Sequence, residues 1–268
     1  MPNHINIALV GNPNSGKSSL FNALTGLNQK VSNFPGVTVD KKTGNCKLGN
    51  GINANIIDLP GTYSLYPKGA DEFVTYDVLL NPRNEDKPDI VVIIADASNL
   101  KRNLLFCSQI MDLRIPVIIA LSMMDLAGKK GVEIDVPGLE RALGVPVVAI
   151  NPRKNKGILP LKKVISQTAM GQYQPPPRNF IDVSALSPRV IEGVKKLTAL
   201  PSDYAALHVA VNAEELHFLS GAQKQAIKHL LQDNNFNKTK VQGEEILQRY
   251  AKIKQVMNGT VAQEDPLY

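Results

Sequence analysis

Residues 11–18 read Gly-Asn-Pro-Asn-Ser-Gly-Lys-Ser, which places two glycines, a lysine and a serine in the spacing G-x-x-x-x-G-K-S. An apolar run (INIALV, 5–10) precedes them, and a helix-like stretch follows to about Thr25, with Gly26 as its stop. The chemistry is phosphate binding. Glycines let main-chain N–H groups converge on phosphate oxygens, and a helix N-terminus adds positive potential. Lys17 reaches the outer phosphates and Ser18 can ligate Mg²⁺. The loop and first turn, Gly11, Asn12, Pro13, Asn14, Ser15, Gly16, Lys17, Ser18 and Ser19, are therefore assigned to a nucleotide's phosphates. The Asn14 side chain has two readings: a local cap for the loop, or a group aimed at the phosphates.

Forty residues on, DLPG (58–61) closes the third strand. Asp58, at the carboxyl end of a strand, can hold Mg²⁺ through water, and Gly61 offers an N–H to the terminal phosphate with no Cβ in the way. Between them, PGVTV (35–39) carries Gly36 and a single hydroxyl, Thr38, suited to Mg²⁺. The base is read later. Asp125, in ALSMMDLAG, can accept from the N1–H and N2–H₂ donors of guanine, a pattern adenine lacks. Ser122 and Met123 precede it where an asparagine would be expected at 122, and the last strand runs into Asn151-Pro152-Arg153 where a Ser-Ala pair is usual.

These residues need a scaffold that ends several strands side by side. Apolar strands are expected at 5–10, near 39–48, and at 53–58, 89–96, 116–121 and 145–150, with helices around 100–112 and 158–168. Near-continuous apolar strands alternating with helices indicate α/β: a mainly parallel sheet covered on both faces. GQYQPPPRNF (171–180) breaks the pattern. Its prolines make a stiff connector over 171–177, followed by an all-helical domain over 178–268. There Ser220 could cap one helix, and Ile246, Leu247, Tyr250 and Ile253 recur at helical spacing in another.

The stretches GNPNSGKS, NFPGVTVDKK, DLPGTYSL and SMMD, in this order and spacing, resemble the cytosolic G domain of the bacterial ferrous-iron transporter family FeoB. The resemblance covers residues 3 to about 170 closely and the helical tail in kind. It implies a Ras-like P-loop GTPase (1–170) with a helical domain behind it. The activity implied is slow GTP hydrolysis to GDP and phosphate, dependent on Mg²⁺ and stimulated by K⁺. Ser18, Thr38 and Asp58 fall at the Mg²⁺ positions. Asn14 falls at a K⁺ ligand, with the main-chain carbonyls of Ser32 and Phe34 completing that site. Thr38 belongs to a first switch segment, and Asp58 to Gly61 open a second. The groups assigned to catalysis are Asn14, Lys17, Thr38 and Gly61. Thr62 stands where Ras-like enzymes carry a water-orienting glutamine, so no side-chain general base is assigned, and Tyr63 is expected to pack. The base set is Ser122, Met123, Asp125, Asn151, Pro152 and Arg153. Ser122 and Pro152 are expected to weaken nucleotide binding and relax the discrimination between purines.

The resemblance further implies a cytosolic front attached to a membrane domain of the same longer protein, on the cytoplasmic face of the bacterial inner membrane. That membrane domain is the implied partner, Fe²⁺ the cargo. A homo-oligomer is left open. The supplied stretch is expected to be soluble: it lacks a signal peptide, and its longest apolar runs fall well short of the ~20 residues a bilayer requires. Two cysteines, Cys46 and Cys107, suit a reducing compartment. The four histidines have no metal-type spacing. The net charge of +6 falls almost entirely before residue 178 and is scattered. Two rival readings share the loop: a K⁺-dependent RNA- or ribosome-associated GTPase, and a nucleotide-set switch with negligible turnover. No nucleic acid is expected, because the tail holds no GXXG clamp or aromatic stacking motif.

Overall fold

The computed structural model of the protein describes residues 4–173, 175–176 and 178–263. Gln174 and Pro177 of the predicted connector, and the two chain ends, lie outside the described residues. In chain order, the first part comprises β1 (His4–Gly11), α1 (Lys17–Thr25), β2 (Gln29–Asn33), β3 (Asp40–Gly49), β4 (Ile52–Asp58), α2 (Ala70–Leu80), β5 (Ile90–Asp96) and α3 (Leu100–Asp112). It continues with β6 (Val117–Ser122), α4 (Met124–Lys129), β7 (Val132–Ile134), α5 (Val136–Leu143), β8 (Val147–Ala149) and α6 (Ile158–Ala169). The tail holds α7 (Pro188–Thr198), α8 (Asp203–Asn212), α9 (Gly221–Asp233), α10 (Lys238–Thr260) and β9 (Val261–Gln263).

Seven strands form one sheet in the order β2-β3-β4-β1-β5-β6-β8. The five from β4 to β8 run parallel, as their apolar sequences require, and β5 and β6 are buried almost throughout. The register aligns their carboxyl ends: Asp58 pairs with Leu9, Gly11 with Ile94, and Asp96 with Ser122. Residues far apart in sequence therefore meet at one edge, where ligands of open α/β sheets bind.

The first switch segment departs from its expected loop form. Gln29–Asn33 is a strand paired antiparallel to β3, and all five residues are exposed, so no apolar alternation announces it. The predicted strand at 145–150 shrinks to Val147–Ala149. Helix α2 was not expected from the sequence pattern.

The tail is helical, with one correction. Strand β9 pairs antiparallel with β7, so 178–268 is not all-helical. Its helices also share one apolar cluster with α2, α3 and one face of the sheet. Within α10 the buried side is Val241, Glu245, Arg249, Ile253 and Val256, whereas Leu247 is exposed. The stripe read as apolar thus contains a charged pair. Arg249 donates to Glu245 (2.6 Å) and to Asp112 at the end of α3 (2.9 Å), with none of the three accessible to water beyond 1%. Tyr66, from the second switch segment, donates to the other Glu245 oxygen (3.1 Å), and Leu65 N–H donates to Gln109 (2.9 Å). Burial and the Glu245 carboxylate hold the Tyr66 phenol protonated, which keeps it a donor.

Cys107 is buried, as a small hydrophobe in α3 should be. Among the described residues no helix is long and apolar enough to cross a membrane, and no cluster of His, Cys, Asp and Glu could hold a metal ion.

His208 in α8 lies inside this interface, stacked on Tyr66 and edge-on to Tyr204, with ring centroids at 4.7 and 4.5 Å. Burial, and secondarily the Arg249 guanidinium, push its pKa down from 6.5 to about 3. A group depressed in the folded state contributes stability that is present above its unfolded pKa and lost as pH falls between about 6.5 and 3. Urea unfolding of the wild type is expected to lose up to ~1.4 kcal/mol per pH unit more than His208→Phe across that window, and nothing more above pH 7.

Candidate functional site

Strand β1 delivers the chain to the glycine loop, and neighbouring backbone dictates the residue there. A Cβ on Gly11 would lie 2.7 Å from the carbonyl oxygen of Ile94 on β5. The loop then turns through two left-handed residues, Asn14 (φ 65°) and Gly16 (φ 98°), before α1 begins at Lys17. No side chain caps α1 and no acidic residue lies in its first turn, so its leading N–H groups and their positive potential face outward. Ser18 is exposed and Ser19 half-buried in that turn. Among the described residues, Asn14 makes no hydrogen bond that would identify it as a loop cap.

Lys17 does not reach into empty space. Its ammonium is bonded to Asp58, which β4 places on the adjacent strand. The two groups assigned to phosphate and Mg²⁺ hold one another at the mouth of the loop. Immediately after, Gly61 lies against Pro13: a Cβ there would come within 3.2 Å of the Pro13 nitrogen. Thr62 N–H donates to Gly11 O (3.2 Å), which fastens the second switch segment to the loop. The Thr62 hydroxyl lies 2.8 Å from Ser64 O and 3.1 Å from Glu72, so its single proton is committed within the segment. Tyr63 packs only in part. It is 38% exposed, with the Arg102 guanidinium 3.8 Å over its ring.

The first switch segment stands apart from this centre. Phe34 N–H donates to Val39 O and Val37 N–H to Phe34 O, closing a turn over Gly36 (φ 77°). Thr38 is exposed and lines an open groove of about 580 Å³ with Val39 and with Ala70 of α2. Its hydroxyl is not bonded to Ser18 or Asp58. Ser32 lies on β2 opposite Lys41.

The residues assigned to the base lie on the other side of the loop. Ser122, at the end of β6, donates to Ser15 O (2.6 Å) and lies 3.2 Å from Ala95 O. The side chain is buried, and its single proton is committed to the loop. Its role is thus a tether from β6 to the phosphate loop, which the sequence pattern did not reveal. Met123 is left-handed (φ 59°) and its methyl sits 3.9 Å from where a Cβ on Gly16 would be. Asp125 is exposed in the first turn of α4, facing the Lys154 ammonium at 3.9 Å. The loop after β8 folds on itself: Asn151 pairs with Lys156 and its side chain accepts from Lys154 N–H (3.2 Å). Pro152, without an N–H, opens the short helical turn that holds Arg153.

A family model described as ferrous iron transport protein B matches residues 5–165. Among curated proteins, the chain is 44% identical over 162 residues to the Fe(2+) transporter FeoB of Leptospira biflexa, covering 60% of this chain and 23% of that protein. It is 34% identical over 231 residues to a Fe(2+) transport protein A/Fe(2+) transporter FeoB fusion protein of Porphyromonas gingivalis, covering 83% of this chain and 27% of the relative. The chain thus spans about a quarter of the length of the curated relatives it matches. Among solved structures it is similar to a GDP-bound point mutant of the S. thermophilus FeoB G-domain (TM-score 0.76, 34% identity, 96% of this chain and 99% of that one). It is equally similar to the cytosolic domain of L. pneumophila FeoB (TM-score 0.76, 30% identity, 97% and 100%). The cytosolic domain of T. maritima FeoB in a GMPPNP form matches at a TM-score of 0.72 with 28% identity, covering 97% and 100%.

Removing the Ser122 hydroxyl tests the tether. Ser122→Ala leaves Ser15 O without its buried donor, and is expected to cost ~1–3 kcal/mol in urea unfolding.

Proposed function

Because the chain belongs to the ferrous iron transport protein B family, corresponding to its N-terminal region, we propose that it is the GTP-hydrolysing part of a ferrous-iron transporter. In this reading residues 1–170 form the G domain, 171–177 the connector and 178–268 the helical part. The membrane domain of the full-length protein is the partner, placing the chain at the cytoplasmic face of the inner membrane with hydrolysis coupled to Fe²⁺ uptake. The observation that carries the nucleotide assignment is the Lys17–Asp58 pair under an uncapped helix N-terminus.

The residues fit the ligands. Main-chain N–H groups from Asn14 to Ser18 surround a phosphate, and Lys17 exchanges Asp58 for the outer phosphates when nucleotide enters. Ser18, Asp58 and Thr38 are hard oxygen donors suited to Mg²⁺. Asn14 and the carbonyls of Ser32 and Phe34 are the oxygens suited to K⁺. What the two cations supply is positive charge beside the β- and γ-phosphate oxygens, where other GTPases use an arginine. Thr38 must travel from its groove to the phosphates, so the turn after Phe34 opens on GTP binding and releases Phe34 O from Val37 N–H, while β2 and the buried Phe34 ring stay in place. The close approach of Gly61 to Pro13 at the loop mouth supports a role for its N–H at the terminal phosphate. With the Thr62 hydroxyl already bonded, main-chain groups orient the attacking water beside the K⁺ that Asn14 would hold.

Base reading falls mainly to Asp125. Ser122 has no donor left for guanine N7, and Pro152 none for O6. The consequence is weak nucleotide binding, fast GDP release and relaxed purine choice.

Phosphate release with GTP and Mg²⁺ is expected to be faster in K⁺ than in Na⁺, and Asn14→Ala is expected to abolish that difference. Equal rates in the two buffers would remove K⁺ from the mechanism. An asparagine at 122 can serve both the tether and the base, so Ser122→Asn is expected to tighten GDP by ~10- to 100-fold in calorimetry, the equivalent of ~1–3 kcal/mol.

A further inference from the structure

One side chain anchors the first switch segment in the core. From Gly26 to Asp40 only Phe34 is fully buried, its ring set in the main apolar cluster with Val37 and Val39 alongside. A lysine covers that ring: Lys41 Nζ lies 5.8 Å from the centroid, within cation–π range. The same residue is the cross-strand partner of Ser32 on β2. Lys41 therefore touches both residues whose carbonyls are assigned to K⁺.

What fixes Lys41 is Asp86. The ammonium sits between the two carboxylate oxygens, at 2.6 and 2.5 Å, and both side chains are largely shielded from solvent. Asp86 is itself immobilised. Its N–H donates to the Asn84 side chain (2.8 Å), and Asn84 donates to Asp77 (2.7 Å) in the last turns of α2. Arg83 N–H binds Asn81, whose side chain also reaches Asp77 (3.3 Å). This loop carries no residue of the nucleotide site, yet it is bonded as tightly as a structural mount.

We propose that Lys41 and Asp86 are positioning residues for the monovalent cation. Their pair clamps the Phe34 ring and β2, which presets the Ser32 and Phe34 carbonyls for K⁺. The proposal rests on the K⁺ assignment made above. With the clamp intact the carbonyls need little ordering when the cation arrives. Without it, part of the binding energy is spent in ordering them, so more K⁺ is required although the completed site is unchanged.

The test titrates K⁺ against Na⁺ in two readouts: GTP hydrolysis, and the rise in melting temperature with Mg²⁺ and a non-hydrolysable GTP analogue. Asp86→Asn and Lys41→Met are each expected to raise the K⁺ concentration for half-maximal response about fivefold in both readouts, the factor produced by ~1 kcal/mol. The hydrolysis rate at saturating K⁺ is expected to stay within about twofold of wild type. Lys41→Arg, which retains the cation, should titrate like wild type. The double variant Lys41→Met/Asp86→Asn leaves no unpaired charge and replaces the lysine variant if that one does not fold. An unchanged half-point in Asp86→Asn and the double variant, with wild type responding to K⁺, overturns the clamp alone. A wild-type chain that responds identically to Na⁺ and K⁺ overturns the K⁺ assignment, and the clamp with it.

Discussion

A guanidinium sealed from water decides how this molecule holds together. Arg249 stands between two buried carboxylates, Asp112 and Glu245, and under the ring of Tyr204. Burial pushes the Asp112 pKa up, while Arg249 and the N–H groups of Phe180 and Ile181 pull it back toward the charged form. Desolvating three charges is unfavourable, and removing one partner so that another is left unpaired costs several kcal/mol. The arrangement therefore tolerates few alternatives. It pins α10 to α3, the chain entering the helical part to the end of α3, and, through Tyr66, the second switch segment to α10.

That constraint reaches the phosphate loop in few steps. Tyr66 follows Gly61 and Thr62 by a few residues, and these two are fastened to Pro13 and Gly11. Any movement of the second switch that withdraws Tyr66 leaves a Glu245 oxygen without its donor in a dry interior. The helical part is thus coupled to the second switch segment beside the phosphate loop, with a penalty on leaving the arrangement described. On the opposite flank, Ser122 ties the same loop to β6. The loop is braced from both sides, whereas Phe34 is the one buried side chain of the first switch segment.

The parts legible in the sequence share one property: their signal is local. The glycine loop, Asp58 at a strand end, the long apolar strands and the helix caps follow from neighbouring residues. Ser220, for example, forms the capping box its position suggests. What escaped depends on partners distant in sequence. Strand β2 has no buried face and exists because β3 pairs with it. Glu245 and Arg249 carry no sign of burial in the sequence, since nothing within α10 announces a carboxylate on α3. The Ser122 hydroxyl looked merely too short for a base, because its acceptor lies 107 residues away. The exposed position of Thr38 in its groove likewise follows from the turn closed by Phe34, Val37 and Val39.

The small sheet of β7 and β9 has a mechanical meaning. The last described strand is stitched to the segment directly after α4, the helix that presents Asp125, and Asp135 N–H adds a bond to Thr260 O (2.8 Å). Tension on the chain beyond Gln263 is borne first by this three-residue seam, so strain arriving from that side is delivered next to α4 and Asp125 before it can reach either switch.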